Sequence, residues 1–193
     1  NAIPPHGETM SDQTVTPIEK FALRAEDFLL TRLVPMDKPG ALFKWLFKVP
    51  IFFYKIGLPL FGGFILLLTT TGRKSGRPRH TPLEYRREAG TGNRIIMAGW
   101  GGDTDWRKNI EANPRVHVQA GWTKYDALAE KLTDDEVADF LAEAMRLNPR
   151  SERIWSRWAG EPVRAEERGS LLRAAKFFPS FRLIVVRNGI PQT

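Results

Sequence analysis

The chain has 193 residues, a formal net charge of +7 and no cysteine. A chain of this length is most simply one domain with a real hydrophobic core, and its 42% hydrophobic and 26% charged residues are ordinary globular values. The absence of cysteine excludes disulfide frameworks, thiolate nucleophiles and cysteine-based metal sites. With only three histidines and no clustered carboxylates, no metal site is expected.

The net positive charge favours an anionic partner. Three kinds of partner fit: a nucleic acid, an anionic lipid, or a phosphorylated and carboxylated cofactor. No zinc finger, helix-turn-helix or aromatic RNA-binding signature is visible, so a nucleic acid is not expected. The polar start of the chain through Thr16 lacks the apolar core of a secretory signal, which favours a cytoplasmic protein. We expect residues 1–16 to be disordered or derived from a tag, and residues 17–193 to form one domain.

Two apolar segments come first in chain order. Residues 17–33 repeat apolar side chains at helical spacing, which predicts a first helix. Residues 41–60 mix aromatic residues with Lys44, Lys48 and Lys55, and the lysines and two prolines exclude a transmembrane span. This helical aromatic segment is interpreted in two ways: it covers one end of a sheet, or it is an interfacial patch that contacts a membrane or captures a lipophilic substrate.

From residue 63 onward the pattern changes to short strands joined by tight turns. Strands are predicted over residues 64–70, 77–87, 94–99, 116–119, 123–132 and 181–187. Helices are predicted from Asp103 or Thr104 to Ala112, after the capping box of Thr133 and Glu136, and in a pair that precedes the last strand. Short strands joined in this way indicate a small barrel.

The turn after the first of these strands is the most informative motif. Two glycines, two cations and a serine follow each other there, and a further arginine returns on the next strand: Gly72, Arg73, Lys74, Ser75, Gly76 and Arg79. A phosphate accepts charge-assisted hydrogen bonds from such side chains, and glycine lets backbone N–H groups approach it. The spacing matches neither the nucleotide P-loop nor the dinucleotide fingerprint. The motif predicts an anion site, with a solvated basic hairpin as the alternative.

A glycine-rich loop that leads into a helix is the second motif. Residues 99–102 read Gly-Trp-Gly-Gly, and the following helix places Trp106, Asn109, Ile110 and Asn113 on one stripe. Such a loop offers free N–H groups beside a flat surface, which suits a planar heterocycle with carbonyl groups. The alternative is a plain strand-to-helix connection in which Trp106 and Ile110 pack in the core.

Together the two motifs resemble the deazaflavin-dependent nitroreductase family. The resemblance lies in residues 66–76, in Pro-Arg at 78–79 and Pro-Leu at 82–83, in Gly-Trp-Gly-Gly at 99–102, and in residues 105–109 and 112–116. It implies an α+β fold, which is a split β-barrel of about six mostly antiparallel strands with flanking helices, of the FMN-binding split-barrel type. It also implies an oxidoreductase.

The resemblance implies a reduced 8-hydroxy-5-deazaflavin, coenzyme F420, as the cofactor, with FMN as the alternative. The cationic turn would hold the cofactor phosphate, residues 80–82 would run beside the ring system, and residues 98–102 would offer N–H groups to the ring carbonyls. The residues expected to bind the cofactor are Arg73, Lys74, Ser75, Arg79, His80, Thr81, Pro82, Ala98, Gly99, Trp100, Gly101, Gly102, Asp105, Trp106, Arg107, Lys108 and Asn109.

The implied reaction is hydride transfer from the reduced coenzyme to a lipophilic or activated acceptor, which is a quinone, a nitro compound or a conjugated double bond. The proton would come from solvent, His80 or Tyr125, and no catalytic residue is assigned. One alternative is an FMN- or haem-binding split-barrel protein, with His80 and His117 as the candidate haem ligands. Another is a non-catalytic lipid-binding module at the membrane surface. Peripheral membrane contact and a homodimer are left open.

Overall fold

The computed structural model describes residues 49–56, 58, 63–88, 91–99, 102–187 and 190–191. Residues 1–48 therefore lie outside the described residues, and with them the N-terminal stretch 1–16, the helix predicted at 17–33 and the first part of the aromatic segment. Five helices are described: α1 (Val49–Lys55), α2 (Asp105–Ala112), α3 (Asp134–Leu147), α4 (Ser151–Ala159) and α5 (Arg168–Ala175). The described strands are β1 (Ile65–Thr71), β2 (Pro78–Glu84), β3 (Arg86–Arg87), β4 (Arg94–Met97), β5 (Arg115–Ala120), β6 (Thr123–Lys131), β7 (Ser180–Arg187) and β8 (Ile190–Pro191).

Seven of these strands form one antiparallel sheet in the order β2-β1-β5-β6-β7-β4-β3, and β8 pairs with β7. Strands β2 and β4 lie toward opposite ends of this order, yet they also contact each other. The sheet is therefore curled into a half-barrel flanked by helices. This confirms the α+β split β-barrel expected from the sequence, and the six longer strands fall where the sequence predicts them.

The one alternating strand predicted over residues 77–87 is divided into two. Strand β2 pairs with β1 in a register that places Glu84 opposite Ile65, and the Tyr85 N–H still donates to the Phe64 carbonyl at 3.0 Å. Because β1 begins at Ile65, Arg86 has no further partner on that strand, and β3 pairs with β4 instead. The chain thus crosses from one end of the sheet to the other at Tyr85, which helps to close the half-barrel.

The interior of the half-barrel is filled from β1, β4, β5, β6 and β7. Leu66, Leu68, Val118 and Leu183 have no exposed surface. A second apolar cluster packs α3, α4 and α5 against the sheet around the fully buried Phe178. The leucine run in β1 is continuous because both faces of the strand are covered: Leu66, Leu67 and Leu68 are all buried, although successive side chains point to opposite faces.

Helix α3 begins at the predicted capping box. The Thr133 N–H donates to Glu136 Oε2 at 2.8 Å, and the Glu136 N–H donates to Thr133 Oγ1 at 3.3 Å. These reciprocal bonds satisfy two of the free N–H groups at the helix start. The sequence prediction of this helix is confirmed.

Helix α1 lies against β1 and β2. Pro50 occupies its first turn, where a missing N–H costs nothing. Tyr54 is 4% exposed and donates its hydroxyl hydrogen to the Ile65 carbonyl at 2.6 Å, which fixes the helix to the start of β1. None of the helices within the described ranges has the length and apolar character needed to cross a membrane.

Candidate functional site

A cavity of about 870 Å³ lies between α1, the β1–β2 turn and α2. Nine of the residues predicted from sequence line it: Arg73, Lys74, Ser75, Arg79, His80, Thr81, Asp105, Trp106 and Asn109. Helix α1 adds Ile51 and Phe52, so the described part of the aromatic segment borders the cavity. Gly72 and Pro78 complete the lining. The cationic turn and the helix of the second motif, 36 positions apart at Arg73 and Asn109, therefore meet at one cavity.

The β1–β2 turn is closed around Gly72. Its N–H donates to the Arg77 carbonyl at 2.9 Å, and its own carbonyl accepts from the N–H groups of Ser75 and Gly76 at 3.1 and 2.7 Å. A Cβ at position 72 would lie 2.9 Å from Ser75 Oγ, and Gly76 has a φ of 65°. Both positions therefore favour glycine, which explains the spacing of the two glycines in the motif.

Arg73 ties this turn to α2. Its Nη1 donates to Asp105 Oδ1 at 2.9 Å and to Asn109 Oδ1 at 3.1 Å, while its backbone N–H also donates to Asn109 Oδ1 at 3.1 Å. Its side chain is 27% exposed. The guanidinium therefore has a carboxylate and an amide oxygen as partners within the protein, and its charge is compensated by Asp105.

Asn109 is the buried centre of this junction. The side chain is 3% exposed, and its Nδ2 donates to the Oγ1 of Thr70, which is itself 1% exposed. Both ends of the Asn109 amide are thus occupied by β1 and the turn. Thr70 is a residue that the sequence analysis did not assign to the site, because a threonine inside an apolar strand carries no signal of a partner 39 residues away.

Lys74 and Arg79 are the remaining cations of the cavity wall. Arg79 Nη2 donates to Ser75 Oγ at 3.5 Å, a long hydrogen bond that leaves most of the guanidinium donors available. Lys74 is exposed and forms no ion pair or hydrogen bond with the part of the chain that the structure describes. These two side chains, together with the Ser75 hydroxyl, form the cationic and hydrogen-bonding part of the lining.

Strand β2 presents His80 and Thr81 to the cavity. His80 Nδ1 lies 3.0 Å from Thr69 Oγ1 on the neighbouring strand, so one ring nitrogen is engaged and the ring is exposed. Pro82 is buried and is not part of the lining. Three of the four predicted β2 residues, Arg79, His80 and Thr81, thus line the cavity.

The described residues of the glycine-rich loop do not reach the cavity, in contrast to the expectation that they offer N–H groups to a ring system. The Ala98 N–H donates to the Pro179 carbonyl and the Gly102 N–H to the Gly99 carbonyl, each at 3.0 Å. These two N–H groups are therefore bonded within the protein, and Ala98, Gly99 and Gly102 do not line the cavity. Trp100 and Gly101 lie outside the described residues.

Two basic residues of α2 also lie away from the cavity. Arg107 Nη1 donates to Glu111 Oε1 at 2.7 Å one turn further along the helix, and Lys108 pairs with Asp103. Neither side chain lines the cavity. Trp106 does line it, and it packs edge-to-face on Phe181 with ring centroids 5.9 Å apart. Trp106 therefore packs in the core, as one interpretation predicted, and also lines the cavity.

The two candidate proton donors, His80 and Tyr125, lie in different parts of the structure. His80 lines the cavity, whereas Tyr125 packs against the interior core and accepts a hydrogen bond from Arg94 Nη1 at 2.8 Å. Burial raises the pKa of Tyr125 above its usual value. Arg94 lies over the rings of both Tyr85 and Tyr125, so the tyrosine belongs to a cation–π cluster in the barrel.

Residues 52–160 match the family model described as F420H(2)-dependent quinone reductase. The matched range covers 109 of the 193 residues, and it contains the cationic turn, β2 and α2. The chain belongs to the F420H(2)-dependent quinone reductase family. Every lining residue of the cavity except Ile51 falls inside the range that matches this family.

The chain is also similar to individual proteins named as F420H(2)-dependent quinone reductases. An F420H(2)-dependent quinone reductase of Mycobacterium tuberculosis (strain H37Rv) is 38% identical over 68 residues, which are 34% of this chain and 44% of that protein. The chain thus matches less than half the length of this curated relative. A second one, from Mycobacterium tuberculosis (strain CDC 1551), gives the same values.

This chain is also similar to solved structures. An F420-H2 dependent reductase named FDR-A is 29% identical, with a TM-score of 0.44, and the likeness covers 62% of this chain and 92% of that one. A chain described as a domain-swapped dimer is 25% identical, with a TM-score of 0.46, over 72% of this chain and 97% of that one.

The second candidate haem ligand lies apart from the first. His117 lines a second cavity of about 460 Å³ to which β1, β5 and β6 contribute, and its Nδ1 lies 2.9 Å from Asp126 Oδ1. His80 and His117 therefore face different cavities, and each has one ring nitrogen engaged. No group of three metal-binding side chains occurs among residues that the structure describes.

Proposed function

We propose that this chain is a deazaflavin-dependent reductase that transfers a hydride from reduced coenzyme F420 to a quinone or a similarly activated lipophilic acceptor. The observation that carries the proposal is one cavity whose wall is cationic at Lys74 and Arg79 and apolar at Phe52 and Trp106. Membership of a family described by this cofactor and this acceptor supports it. Such a wall suits a ligand with a phosphate at one end and a flat ring system at the other.

The residues of the cavity fit a phosphorylated cofactor. Lys74 and Arg79 supply charged donors and Ser75 a hydroxyl, which is the donor set that a phosphate prefers. Gly72 lines the cavity, and the closed turn leaves no room for a Cβ there, since it would lie 2.9 Å from Ser75 Oγ and 3.1 Å from the Arg77 carbonyl oxygen. Arg73, compensated by Asp105, holds the turn in place rather than serving as the main phosphate donor.

The cofactor supplies the hydride chemistry, and the protein positions the reactants and excludes water. Trp106 offers a flat apolar wall, and Ile51 and Phe52 bound the cavity on the α1 side. An acceptor with a lipophilic body would lie against these α1 side chains. Their apolar character favours a quinone with an apolar tail over a charged acceptor.

We infer that His80, which lines the cavity, is the candidate to deliver the proton that must follow the hydride. It is an imidazole of the cavity wall, and its Nδ1 contact with Thr69 Oγ1 orients the ring. Tyr125 lies in the barrel core and is bonded to Arg94, so it is not placed for this role. The proton therefore comes from His80 or from solvent that reaches the cavity.

A binding titration tests the proposal. We would titrate the purified chain with coenzyme F420, with FMN and with haem, and then measure oxidation of reduced F420 by a soluble quinone. We expect saturable F420 binding, weaker FMN binding and quinone-dependent turnover. Tighter binding of FMN or haem than of F420 would reject the proposal in favour of another split-barrel cofactor. Absence of binding by all three would favour the non-catalytic lipid-binding alternative.

A further inference from the structure

We propose that Thr69 is the positioning residue of His80, and that its hydroxyl leaves Nε2 as the ring nitrogen that exchanges a proton in the cavity. Thr69 lies in the run of three threonines that ends β1, and it is not among the residues that the sequence predicts for the site. The inference rests on the proposed function, because it gives His80 the proton that accompanies the hydride. The contact between the two side chains is testable without cofactor or acceptor.

The register of β1 and β2 brings the two side chains together. The Tyr85 N–H donates to the Phe64 carbonyl at 3.0 Å beside the first pair of this ladder, and hydrogen-bonded and non-hydrogen-bonded pairs alternate from there. The Thr69–His80 pair, five positions along, is therefore a non-hydrogen-bonded pair, in which opposing side chains lie closest. Thr69 Oγ1 lies 3.0 Å from His80 Nδ1.

The next threonine shows that the run serves both faces of β1. Successive side chains of a strand point to opposite faces. The Oγ1 of the buried Thr70 accepts from Asn109 Nδ2 at 3.1 Å, whereas the half-buried Thr69 meets His80 on the other face. Valine has nearly the same shape and also suits strands, so packing alone does not account for either hydroxyl. Each hydroxyl instead contacts a residue that lines the cavity.

His80 depends on this contact because burial does not fix its ring. The residue is exposed, and an exposed side chain keeps its rotamer freedom unless a specific bond restrains it. Among the described residues, Thr69 Oγ1 is the hydrogen-bond partner of the ring, and Nε2 has no partner there. The threonine therefore holds the ring by Nδ1 and leaves Nε2 available.

The roles of the two ring nitrogens in proton transfer follow from this contact. Both nitrogens of a protonated imidazole carry hydrogen, so Nδ1 then donates and Thr69 Oγ1 accepts. When the acceptor takes its proton, the Nε2–H bond breaks and an O–H bond forms on the acceptor. The neutral imidazole keeps its hydrogen on Nδ1, still bonded to Thr69, and Nε2 regains a proton from solvent. The bond to Thr69 is thus unchanged throughout the transfer.

Steady-state kinetics of three variants of the full chain test this role. Thr69→Val replaces the hydroxyl with a methyl group, Thr69→Ser keeps the hydroxyl, and Thr71→Val is the control two positions along the same face of β1. With reduced F420 and a soluble quinone we expect Thr69→Val to lower kcat about two- to tenfold, which is the usual contribution of one neutral hydrogen bond to an equilibrium. The KM for reduced F420 should stay unchanged. Thr69→Ser and Thr71→Val should keep the wild-type kcat.

NMR of the ring nitrogens in the cofactor-free chain gives a second readout. The chain has three histidines, so the signals of His80 are assigned by their loss in His80→Gln. In the wild type and in Thr69→Ser we expect the neutral ring of His80 to carry its hydrogen on Nδ1. In Thr69→Val we expect both tautomers, because Nδ1–H has lost its acceptor.

Three results would overturn the proposal. They are a wild-type kcat in Thr69→Val, a kcat in Thr69→Ser as low as that of Thr69→Val, or identical His80 ring signals in Thr69→Val and the wild type. Failure of the wild type to bind and oxidise reduced F420 would reject the proposed function, and the proton-transfer role with it. That failure is distinguishable, because the NMR comparison reports the contact between Thr69 and His80 in either case.

Discussion

Asn109 Oδ1 accepts two hydrogen bonds from Arg73, one from the backbone N–H and one from Nη1, each at 3.1 Å. The same guanidinium nitrogen pairs with Asp105. The cationic side chains of the site therefore differ in whether they are bonded to other parts of the protein. Arg73 joins the turn to α2, and Lys74 and Arg79 face the cavity with few partners of their own.

Asn109→Ala is expected to destabilise the fold and to weaken coenzyme binding together. The substitution removes the partners of the buried Thr70 hydroxyl and of the Arg73 N–H, which costs about 1–3 kcal/mol. Thermal unfolding and an F420 titration measure the two effects. Glu111→Ala on the same helix is the control, since it removes only a surface pair with Arg107. Unchanged thermal stability in Asn109→Ala would contradict the role given to the buried amide.

Lys74→Ala is expected to weaken F420 binding by roughly tenfold to hundredfold, because a charge-assisted contact to phosphate is lost. The melting temperature should stay at the wild-type value, since Lys74 has no partner within the described residues. Arg77→Ala provides the control, as it removes a cation from the same turn that does not line the cavity. A form of the coenzyme without its phosphate should bind Lys74→Ala and the wild type equally. An equal loss of affinity for both forms would exclude phosphate as the group that Lys74 meets.

The local features of this site follow from sequence, and the division of roles among its residues does not. Two glycines around cations predict a turn, and the capping box at Thr133 predicts where α3 begins, because both depend on neighbours a few residues away. The pairing of Arg73 with Asp105 joins residues 32 positions apart. Only the packing of α2 against β1 decides which cation is compensated.

The β-sheet, too, could be predicted from the sequence only in its local features. Each long strand could be predicted from its own apolar pattern, but the division of residues 77–87 depends on where β1 begins. Likewise Tyr125 could not be assigned to the core rather than the cavity, because that depends on Arg94, which lies 31 positions away on another strand. Long-range contacts of this kind have no signature in a single sequence.

Gly72→Ala is expected to disturb the turn and to weaken coenzyme binding. The new Cβ would lie 2.9 Å from Ser75 Oγ and 3.1 Å from the Arg77 carbonyl oxygen, so the turn must open. Gly63→Ala is the matched control, because its Cβ would meet no atom within 4 Å. F420 titrations of both variants measure the difference. Wild-type affinity in Gly72→Ala would show that the closed turn is not needed for binding.

His80→Gln and Tyr125→Phe distinguish the two candidate proton donors. If His80 delivers the proton, its loss should lower kcat by on the order of 100-fold, the usual contribution of a general acid. The KM for reduced F420 should change little. Tyr125→Phe should keep kcat and lower stability, because it removes the bond from Arg94. Steady-state rates with a soluble quinone and thermal unfolding give both values. A wild-type kcat in His80→Gln would identify solvent as the proton source.

Because of Arg182, we expect the free energy of unfolding to depend on pH in the acid range. It donates to Glu88 at 2.6 Å and to Glu136 at 2.9 Å, and it is 18% exposed. The hydrogen bond from Arg182 holds the pKa of Glu88 below its usual 4.5, while the Thr133 N–H and then Arg182 lower the pKa of Glu136. A carboxylate with a lowered pKa stabilises the fold fully above the pKa of the unfolded chain. That stabilisation is lost as the pH falls through the lower pKa of the folded state.

Arg182→Met tests this dependence by urea unfolding between pH 7 and pH 3. At pH 7 the variant should be less stable than the wild type by about 1–3 kcal/mol, because Glu88 loses its charged partner. As the pH falls below about 4.5 the two free energies of unfolding should begin to converge, and the convergence ends only below the lowered pKa values of Glu88 and Glu136, where both carboxyl groups are protonated in either protein. Arg146→Met, which breaks only the exposed pair with Glu143, should follow the wild type at every pH. A constant difference between Arg182→Met and the wild type down to pH 3 would show that Arg182 acts through packing of its side chain and not through its charge.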